Sequence, residues 1–379
     1  MRTFRVPYPV VLVLVGLAVG YFPKPYVVLT PQLVLFVFLP PLLFAGAWGL
    51  PIDHLRRNWV PIAVLATAGV AVGIAASFAV VHFGGGLDAR VALLFGAIVA
   101  ATDPVAVLAL FRSMQVDKDL STVVEGESLF NDGTGVVAFR SLLAGVITGG
   151  VIEPSAVAIS FALLTIGGAA LGLAGGFALR PVLRLAKLHP YLYLGASVAI
   201  AYGIYDLAET LRVSGIIAVL CCGLVLAHYA RSLPDKERIS ALSDRFWEGL
   251  AVAANVALFV MLGRSVNLAA LLAAWPATGW AILAVVLGRA ATVYGLAPAC
   301  TALGSPLPAR WQHVIAIGGM RGALSTALAL GLPIDTPQRE LLTTMVFCVV
   351  IFTLVVQGIC VQWVLPRPVE GARSPARLM

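Results

Sequence analysis

Seven ionisable residues fall within or near apolar stretches of the sequence: Asp103, Glu125, Glu127, Asp132, Arg140, Arg289 and Arg321. Such residues are costly in hydrocarbon, and they usually face a cavity or a charged partner. Oxygen atoms of carboxylates, hydroxyls and carbonyls are the ligands that small hard cations prefer. The pattern therefore predicts a buried cation site, with the arginines as fixed counter-charges.

One short segment places four polar side chains on one face of a helix. At about 100° per residue, Glu127, Asn131, Ser128 and Asp132 fall within a sector of about 140°, and the two apolar residues between them lie outside it. This wedge of oxygen atoms suits a cation, although a purely structural polar network between helices is the alternative. Glu125, near the start of the same helix, is expected to be solvated.

Two further segments predict interruptions of helices. Pro104 removes a backbone donor and disfavours helical geometry at Asp103, so the helix should break there and expose carbonyl groups. Three glycines in 318–322 weaken a second helix beside Arg321. Broken helices at the membrane midplane can form an ion site. The alternative for the first break is a simple kink in which Asp103 caps the restarted helix.

The composition excludes an ordinary soluble domain. The 379 residues are 60% hydrophobic and 11% charged, with a mean hydropathy of +0.97, whereas soluble domains contain about 25% charged residues. The 5 cysteines lie in apolar stretches without metal-binding spacing, so neither a disulfide framework nor a zinc site is predicted. The net charge of +7 is scattered and does not indicate nucleic acid as a partner. The fold class predicted is an all-α polytopic membrane protein whose partner is the lipid bilayer.

Hydropathy and loop charges predict about twelve transmembrane helices. They are expected near 9–22, 28–50, 59–83, 91–111, 121–148, 154–179, 191–208, 213–230, 246–263, 268–301, 311–332 and 341–365. Most lysines and arginines fall in alternate loops, on one side of the membrane. The positive-inside rule then predicts that both termini are cytoplasmic.

The order of the helices predicts an internal symmetry. The two broken helices are the fourth and the eleventh, and an offset of seven helices reverses direction across the membrane. Residues about 9–148 and 191–365 are therefore expected to be inverted repeats joined by a linker helix at about 154–179, as in secondary transporters. Together they form a single domain, 1–365, followed by a short cytoplasmic tail, 366–379, with no soluble regulatory domain.

Four segments in this order resemble the NhaP-type sodium/proton antiporters of the monovalent cation/proton antiporter (sodium/hydrogen exchanger) family. They are 38–44 (FLPPLLF), 102–104 (TDP), 126–133 (GESLFNDG) and 318–323 (GGMRGA). The resemblance implies an inverted-repeat antiporter fold with two discontinuous crossing helices. It also implies a secondary transporter rather than an enzyme, which exchanges Na+ or Li+ for H+ in the cell membrane, without a cofactor, as a homodimer.

The resemblance also implies roles for individual residues. Asp132 is expected to bind the cation and the proton alternately. Asp103, Glu127, Ser128 and the backbone of Thr102 are expected to supply further oxygen atoms around Na+.

Three other residues are expected to support this site. The resemblance implies that Asn131 holds the crossing peptide of the broken helix and that Arg321 stabilises the crossover near Asp103. Glu127 resembles the partner of a membrane arginine, and the spacing indicates Arg289. The alternative for Arg289 is that it extends to the membrane interface.

Two features depart from the family pattern. The chain is expected to lack the first of about thirteen helices. Arg140 lies about 12 Å beyond Asp132 on the same helix. It either lowers the affinity for cations or reaches the outer interface.

Charge counting predicts the stoichiometry of exchange. Asp103, Glu127 and Asp132 face two arginines, which leaves one negative charge for one cation or one proton and implies electroneutral 1:1 exchange. At low pH Asp132 is expected to be protonated, and at higher pH to bind a cation. Movement is expected as a rocking of the bundle that carries the broken helices.

Three alternative functions would use residues of the same site. A K+/H+ antiporter would use the same site, because cavity size and ligand flexibility decide selectivity. An intramembrane aspartyl protease could use Asp103 and Asp132, but Asn131 and the arginines have no role in peptide cleavage. A passive cation channel would conduct without a proton requirement.

Overall fold

The computed structural model describes residues 8–20, 30–147, 153–186, 189–232, 236–266 and 268–364, and every regular element among them is helical. The first eight helices are α1 (Tyr8–Gly20), α2 (Leu33–Gly49), α3 (Ile52–Arg57), α4 (Trp59–Gly84), α5 (Ala89–Ile98), α6 (Val105–Met114), α7 (Lys118–Ile147) and α8 (Pro154–Leu185). The others are α9 (Pro190–Thr210), α10 (Gly215–Arg231), α11 (Lys236–Ser265), α12 (Leu268–Ala273), α13 (Trp275–Ala302), α14 (Ala309–Gly318), α15 (Ala323–Leu330) and α16 (Arg339–Val361).

The helices pack as two groups. In the first, named the site bundle, α13 packs on α4 and α16, α7 packs on α4 and α5, and α15 packs on α16. In the second, named the flanking bundle, α1 packs on α11, and α10 packs on α2, α8 and α9. Both predicted broken helices belong to the site bundle.

The two predicted helix interruptions are present. The segment between α5 and α6 is non-helical up to Pro104, and α14 and α15 are separated by 319–322 with a bend of 43°. Among the described residues, five helices are long and apolar enough to span a membrane, and the bent pair is a sixth. The remaining helices are shorter or more polar, so the number of twelve stays a prediction. The two chain ends, 1–7 and 365–379, lie outside the described residues.

Some predicted helix bounds were wrong. Residues 236–245 form the first turns of α11 rather than a loop, because no glycine or proline interrupts the polar sequence before the apolar part. The predicted helix at 268–301 is divided into α12 and α13, since Pro276 begins a new helix. The linker helix continues past 179 to Leu185, and the short helix α3 was not predicted.

The helix α3 connects the flanking bundle to the site bundle at the surface. Its His54 and Arg57 contact Asp119 in the first turn of α7, at 2.6 Å from Nδ1 to Oδ1 and 3.3 Å from Nη1 to Oδ2. Asn58 Nδ2 donates a third hydrogen bond to Asp119, at 2.8 Å. The start of the helix that carries the polar wedge is therefore held by the connection between the bundles.

Close backbone contact joins α8 to α10. A Cβ atom placed on Gly172 would lie 2.3 Å from the carbonyl oxygen of Ala218, so only glycine fits at this position. Helix pairs in membranes use small residues in this way, because close approach increases the van der Waals contact between them.

We expect Gly172→Ala to lower the melting temperature of the detergent-solubilised protein. The added methyl group must push α8 away from α10, and overpacking of this kind costs about 1–3 kcal/mol. The matched control is Gly203→Ala in α9, where a Cβ atom would meet nothing within 4 Å. Alanine there should be neutral or stabilise by up to about 1 kcal/mol. Equal melting temperatures for the two variants would contradict the packing argument.

Candidate functional site

The two broken helices meet through their backbones. The amide of Asp103 donates to the carbonyl oxygen of Met320 at 2.7 Å, and Asp103 Oδ1 accepts from the amide of Val105 at 3.0 Å. A Cβ atom on Gly322 would lie 2.0 Å from Asp103 Oδ2, so glycine is required for this approach. Asp103 therefore caps α6 while it lies against the second break. The prediction that the two breaks cross is confirmed.

The wedge on α7 holds the first break in place. Asn131 Oδ1 accepts from the amide of Thr102 at 3.1 Å, and Asn131 Nδ2 donates to Thr102 Oγ1 at 2.7 Å. Ser128 Oγ donates to the carbonyl oxygen of Thr102. Both side chains are almost fully buried, with 1% exposure each. The contact expected between Asn131 and the crossing peptide is present.

Arg321 donates hydrogen bonds to carbonyl groups that lose their helical partners at the first break. Its Nη1 donates to the carbonyl oxygens of Ala100 and Ala101 at 2.7 and 2.8 Å. Its own amide donates to Thr353 Oγ1 at 3.0 Å. The guanidinium thus joins the second break to the first, through the backbone rather than through a hydrogen bond to Asp103. Two carbonyl groups that were expected to be unpaired are therefore occupied.

Glu127 and Arg289 form a buried pair with two parallel hydrogen bonds. The distances are 2.8 Å from Nη1 to Oε1 and 2.9 Å from Nη2 to Oε2. Arg289 also donates to the carbonyl oxygen of Ile315, and Asn131 Nδ2 donates to Glu127 Oε1 at 2.7 Å. The exposed fractions are 6% for Arg289 and 2% for Glu127. The pairing predicted from spacing is confirmed, and it connects α7, α13 and α14.

Asp132 differs from the other acidic residues of the site. Within the part of the chain that the structure describes, its carboxylate makes no hydrogen bond or ion pair, and it lines a cavity. The cavity has a volume of about 790 Å3 and is also lined by Thr102, Asp103, Ser128 and Ser325. Of the three acidic residues at the breaks and the wedge, Asp103, Glu127 and Asp132, only Asp132 has neither carboxylate oxygen in a hydrogen bond or ion pair among the described residues.

The cavity lies between the two bundles and opens toward one end of the molecule. Its walls come from α1, α2 and α11 on one side and from α6, α7 and α15 on the other. Arg112, Arg231 and Glu248 line it at the end that we name the open end. Glu125 also lines it and is partly buried. The carboxylate that was expected to be solvated thus faces the route to Asp132.

The polar side chains that line the cavity at the two breaks carry carboxylate and hydroxyl oxygens. Among the described residues, no three histidine, cysteine or acidic side chains converge as a metal cluster. Both oxygens of Glu127 are engaged by Arg289, which leaves Asp132, Asp103 and hydroxyl or carbonyl oxygens at the cavity. Ser325, whose buried hydroxyl has no partner among these residues, was not predicted. The one feature of the sequence that could have identified Ser325 as a site residue is its position in α15, directly after the second break.

Arg140 is paired at the closed end, which is the opposite end of α7. Its Nη1 lies 3.0 Å from Glu209 Oε2. The side chain therefore has a partner on α9, which the sequence did not indicate. Arg140 is not among the residues that line the cavity.

The sequence is similar to that of the sodium/hydrogen exchangers along almost its whole length. The sequence model of the transmembrane sodium/hydrogen exchangers matches residues 1–367. The chain is 36% identical over 367 residues to the low-affinity Na+/H+ antiporter NhaS1 of Synechocystis, which covers 95% of this chain and 69% of that protein. It is 37% identical to the Na+/H+ antiporter ApNhaP of Aphanothece halophytica, which covers 96% of this chain and 70% of that protein.

A comparison with solved structures gives the same fold. The sodium/proton antiporter MjNhaP1 from Methanocaldococcus jannaschii superposes with a TM-score of 0.72 at 23% identity, covering 94% of this chain and 90% of that one. The predicted fold class, an all-α polytopic antiporter fold with two interrupted helices, is confirmed.

We expect Arg289→Ala to destabilise the protein strongly. It leaves the carboxylate of Glu127 buried without its counter-charge, which costs about 3–5 kcal/mol. Adding Glu127→Gln removes the uncompensated charge, so the double variant should melt at a higher temperature than Arg289→Ala in detergent. If the double variant is no more stable, Glu127 is not the group that Arg289 neutralises.

The matched control is Arg112→Ala, which removes an exposed pair with Glu248. Those side chains are 73% and 64% exposed, at 3.1 Å. Pairs of this kind contribute about 1 kcal/mol or less, so the control should melt close to the parent protein.

Proposed function

Because this chain belongs to the sodium/hydrogen exchanger family, we propose that it is a secondary antiporter that exchanges Na+ or Li+ for H+. The carboxylate of Asp132 is the exchange group. The observation that carries this proposal is the contrast between Asp132 and its neighbours. Glu127 is paired and Asp103 caps a helix, whereas Asp132 faces a cavity and has no hydrogen-bond or ion-pair partner among the described residues.

The other cation ligands follow from the lining of the cavity. Thr102, Asp103 and Ser128 line the same cavity as Asp132. Oxygen donors at a helix break replace part of the hydration shell of a small cation. Glu127 belongs to the same set, and it joins the coordination only when its hydrogen bonds to Arg289 and Asn131 rearrange.

The charges in the site favour electroneutral 1:1 exchange. Glu127 is neutralised by Arg289, and the guanidinium of Arg321 offsets one of the two remaining carboxylates, so the site keeps one negative charge for a proton or a cation on Asp132. A proton or a monovalent cation on Asp132 gives the same net charge. The two loaded states then cross the membrane with similar cost, and the empty charged state is disfavoured.

Transport follows if the site bundle moves relative to the flanking bundle. The cavity separates the bundles at the open end, while α7 and α10 stay packed at the other end. The arginines at the open end indicate that it is cytoplasmic, by the positive-inside rule. The proposal includes a cell-membrane location, cytoplasmic termini, inverted repeats and a homodimer.

We expect Asp132→Asn to reduce exchange in liposomes to the rate of protein-free vesicles, with an unchanged melting temperature. The amide cannot release a proton and binds Na+ weakly, so neither half of the cycle remains. Proton flux is followed with an internal pH dye after Na+ is added. The control is Asp335→Asn in an exposed loop, which should exchange normally. Exchange retained by Asp132→Asn would remove this residue from the mechanism.

We expect proton flux driven by Na+ or Li+ to be unaffected when the membrane potential is clamped. Electroneutral exchange moves no net charge, so the potential does not act on it. Flux that changes steeply with the potential would contradict 1:1 exchange. Flux driven by K+ alone would assign the same site to K+/H+ exchange, which is the second candidate.

A further inference from the structure

An ion pair joins the two bundles at the closed end. Arg140 Nη1 lies 3.2 Å from Oε1 and 3.0 Å from Oε2 of Glu209. Arg140 belongs to α7, about 12 Å from Asp132 along the helix axis. Glu209 belongs to α9 of the flanking bundle. The pair, here named the outer ion pair, therefore connects the helix of the exchange residue to the other bundle.

The flanking bundle holds Glu209 in place. Glu209 Oε1 also accepts from the amide of Gly215 at 3.3 Å, at the start of α10. The N-terminus of a helix stabilises a negative charge, and Ser214 caps the same helix through the amide of Ile217. Neither of these contacts involves Arg140, so Glu209 has a partner within its own bundle. Arg140 is thus the partner that can separate.

An apolar contact lies beside the outer ion pair, between α7 and α10. Val137 packs against Ile217 and Cys221, and their exposed fractions are 1%, 3% and 8%. Opening the closed end requires α7 to separate from α10, which exposes this contact. The same movement carries Arg140 away from Glu209, so the pair exists only while that end is closed.

We propose that the outer ion pair selects the conformation in which the cavity is open at the cytoplasmic end. Arg140 is a positioning residue: it stabilises the closed outer end and does not bind the transported cation. The side chains are 37% and 20% exposed, so water can solvate both charges after separation, and the pair is weak enough to re-form in each cycle. The proposal rests on the proposed antiport function.

The native Cys221 is the reporter for the test. The other four cysteines are replaced by alanine, and the protein is reconstituted in liposomes. The rate of Cys221 modification by a membrane-impermeant maleimide is then measured from the outer side. We expect Arg140→Gln to raise this rate about twofold to fivefold, because a partly exposed ion pair of ordinary strength shifts the conformational equilibrium by that factor. Arg140→Lys keeps the charge and should remain closer to the parent rate.

A double-variant comparison isolates the pair. Glu209→Gln should raise the rate as Arg140→Gln does, and the double variant should add nothing to either single change. The matched control is Arg212→Gln, which removes an exposed positive charge from the loop between α9 and α10. It should leave the rate unchanged. An equal rise for Arg212→Gln would overturn the proposal, as would rates that the Arg140 and Glu209 changes do not raise.

A second measurement does not depend on the cysteine background. With all native cysteines present, Arg140→Gln should lower the apparent affinity for Na+ on the cytoplasmic side and raise it on the outer side. An equal change on both sides would indicate direct action on the site and would contradict the positioning role. Maleimide labelling requires no exchange, so absent exchange in the parent protein would reject the antiport function separately from the outer ion pair.

Discussion

Two interrupted helices within an apolar bundle leave backbone N–H and C=O groups without their usual partners. Each unsatisfied group costs several kcal/mol in hydrocarbon. The polar residues of the site meet this requirement directly. Asn131 and Ser128 bond the peptide of Thr102, Arg321 bonds two carbonyl groups, and the amide of Asp103 bonds the carbonyl of Met320. Of Asp103, Glu127 and Asp132, only Asp132 is left without a hydrogen bond or ion pair within the part of the chain that the structure describes.

Local sequence predicted the parts of this site that depend on local rules. Pro104 and the glycines at 318–322 identified the breaks, because proline and glycine act on the backbone at their own positions. The helical period placed the polar residues of α7 on one face. The pairing of Glu127 with Arg289 joins residues far apart in the sequence, and it was predicted from the family resemblance together with the spacing.

Contacts between residues distant in sequence could not be predicted in the same way. The partner of Arg140 lies on another bundle, and nothing in the residues around Glu209 indicates it. Arg321 was expected near Asp103, yet its guanidinium bonds carbonyl groups that sequence cannot assign. Helix α11 begins earlier than hydropathy indicates, because hydropathy locates the apolar part of a helix and not the polar turns that precede it.

The hydroxyl of Ser128 has a consequence for the sign of the charge that the cavity accepts. Its hydrogen is committed to the carbonyl of Thr102, so only oxygen lone pairs remain to face the cavity. A serine with a free hydrogen could turn it toward an anion and stabilise it. Here the hydrogen bond to the backbone fixes the orientation of the hydroxyl group, so the negative end of the O–H dipole faces the cavity. A single torsion angle therefore determines that this part of the cavity wall presents a lone pair rather than a hydrogen-bond donor.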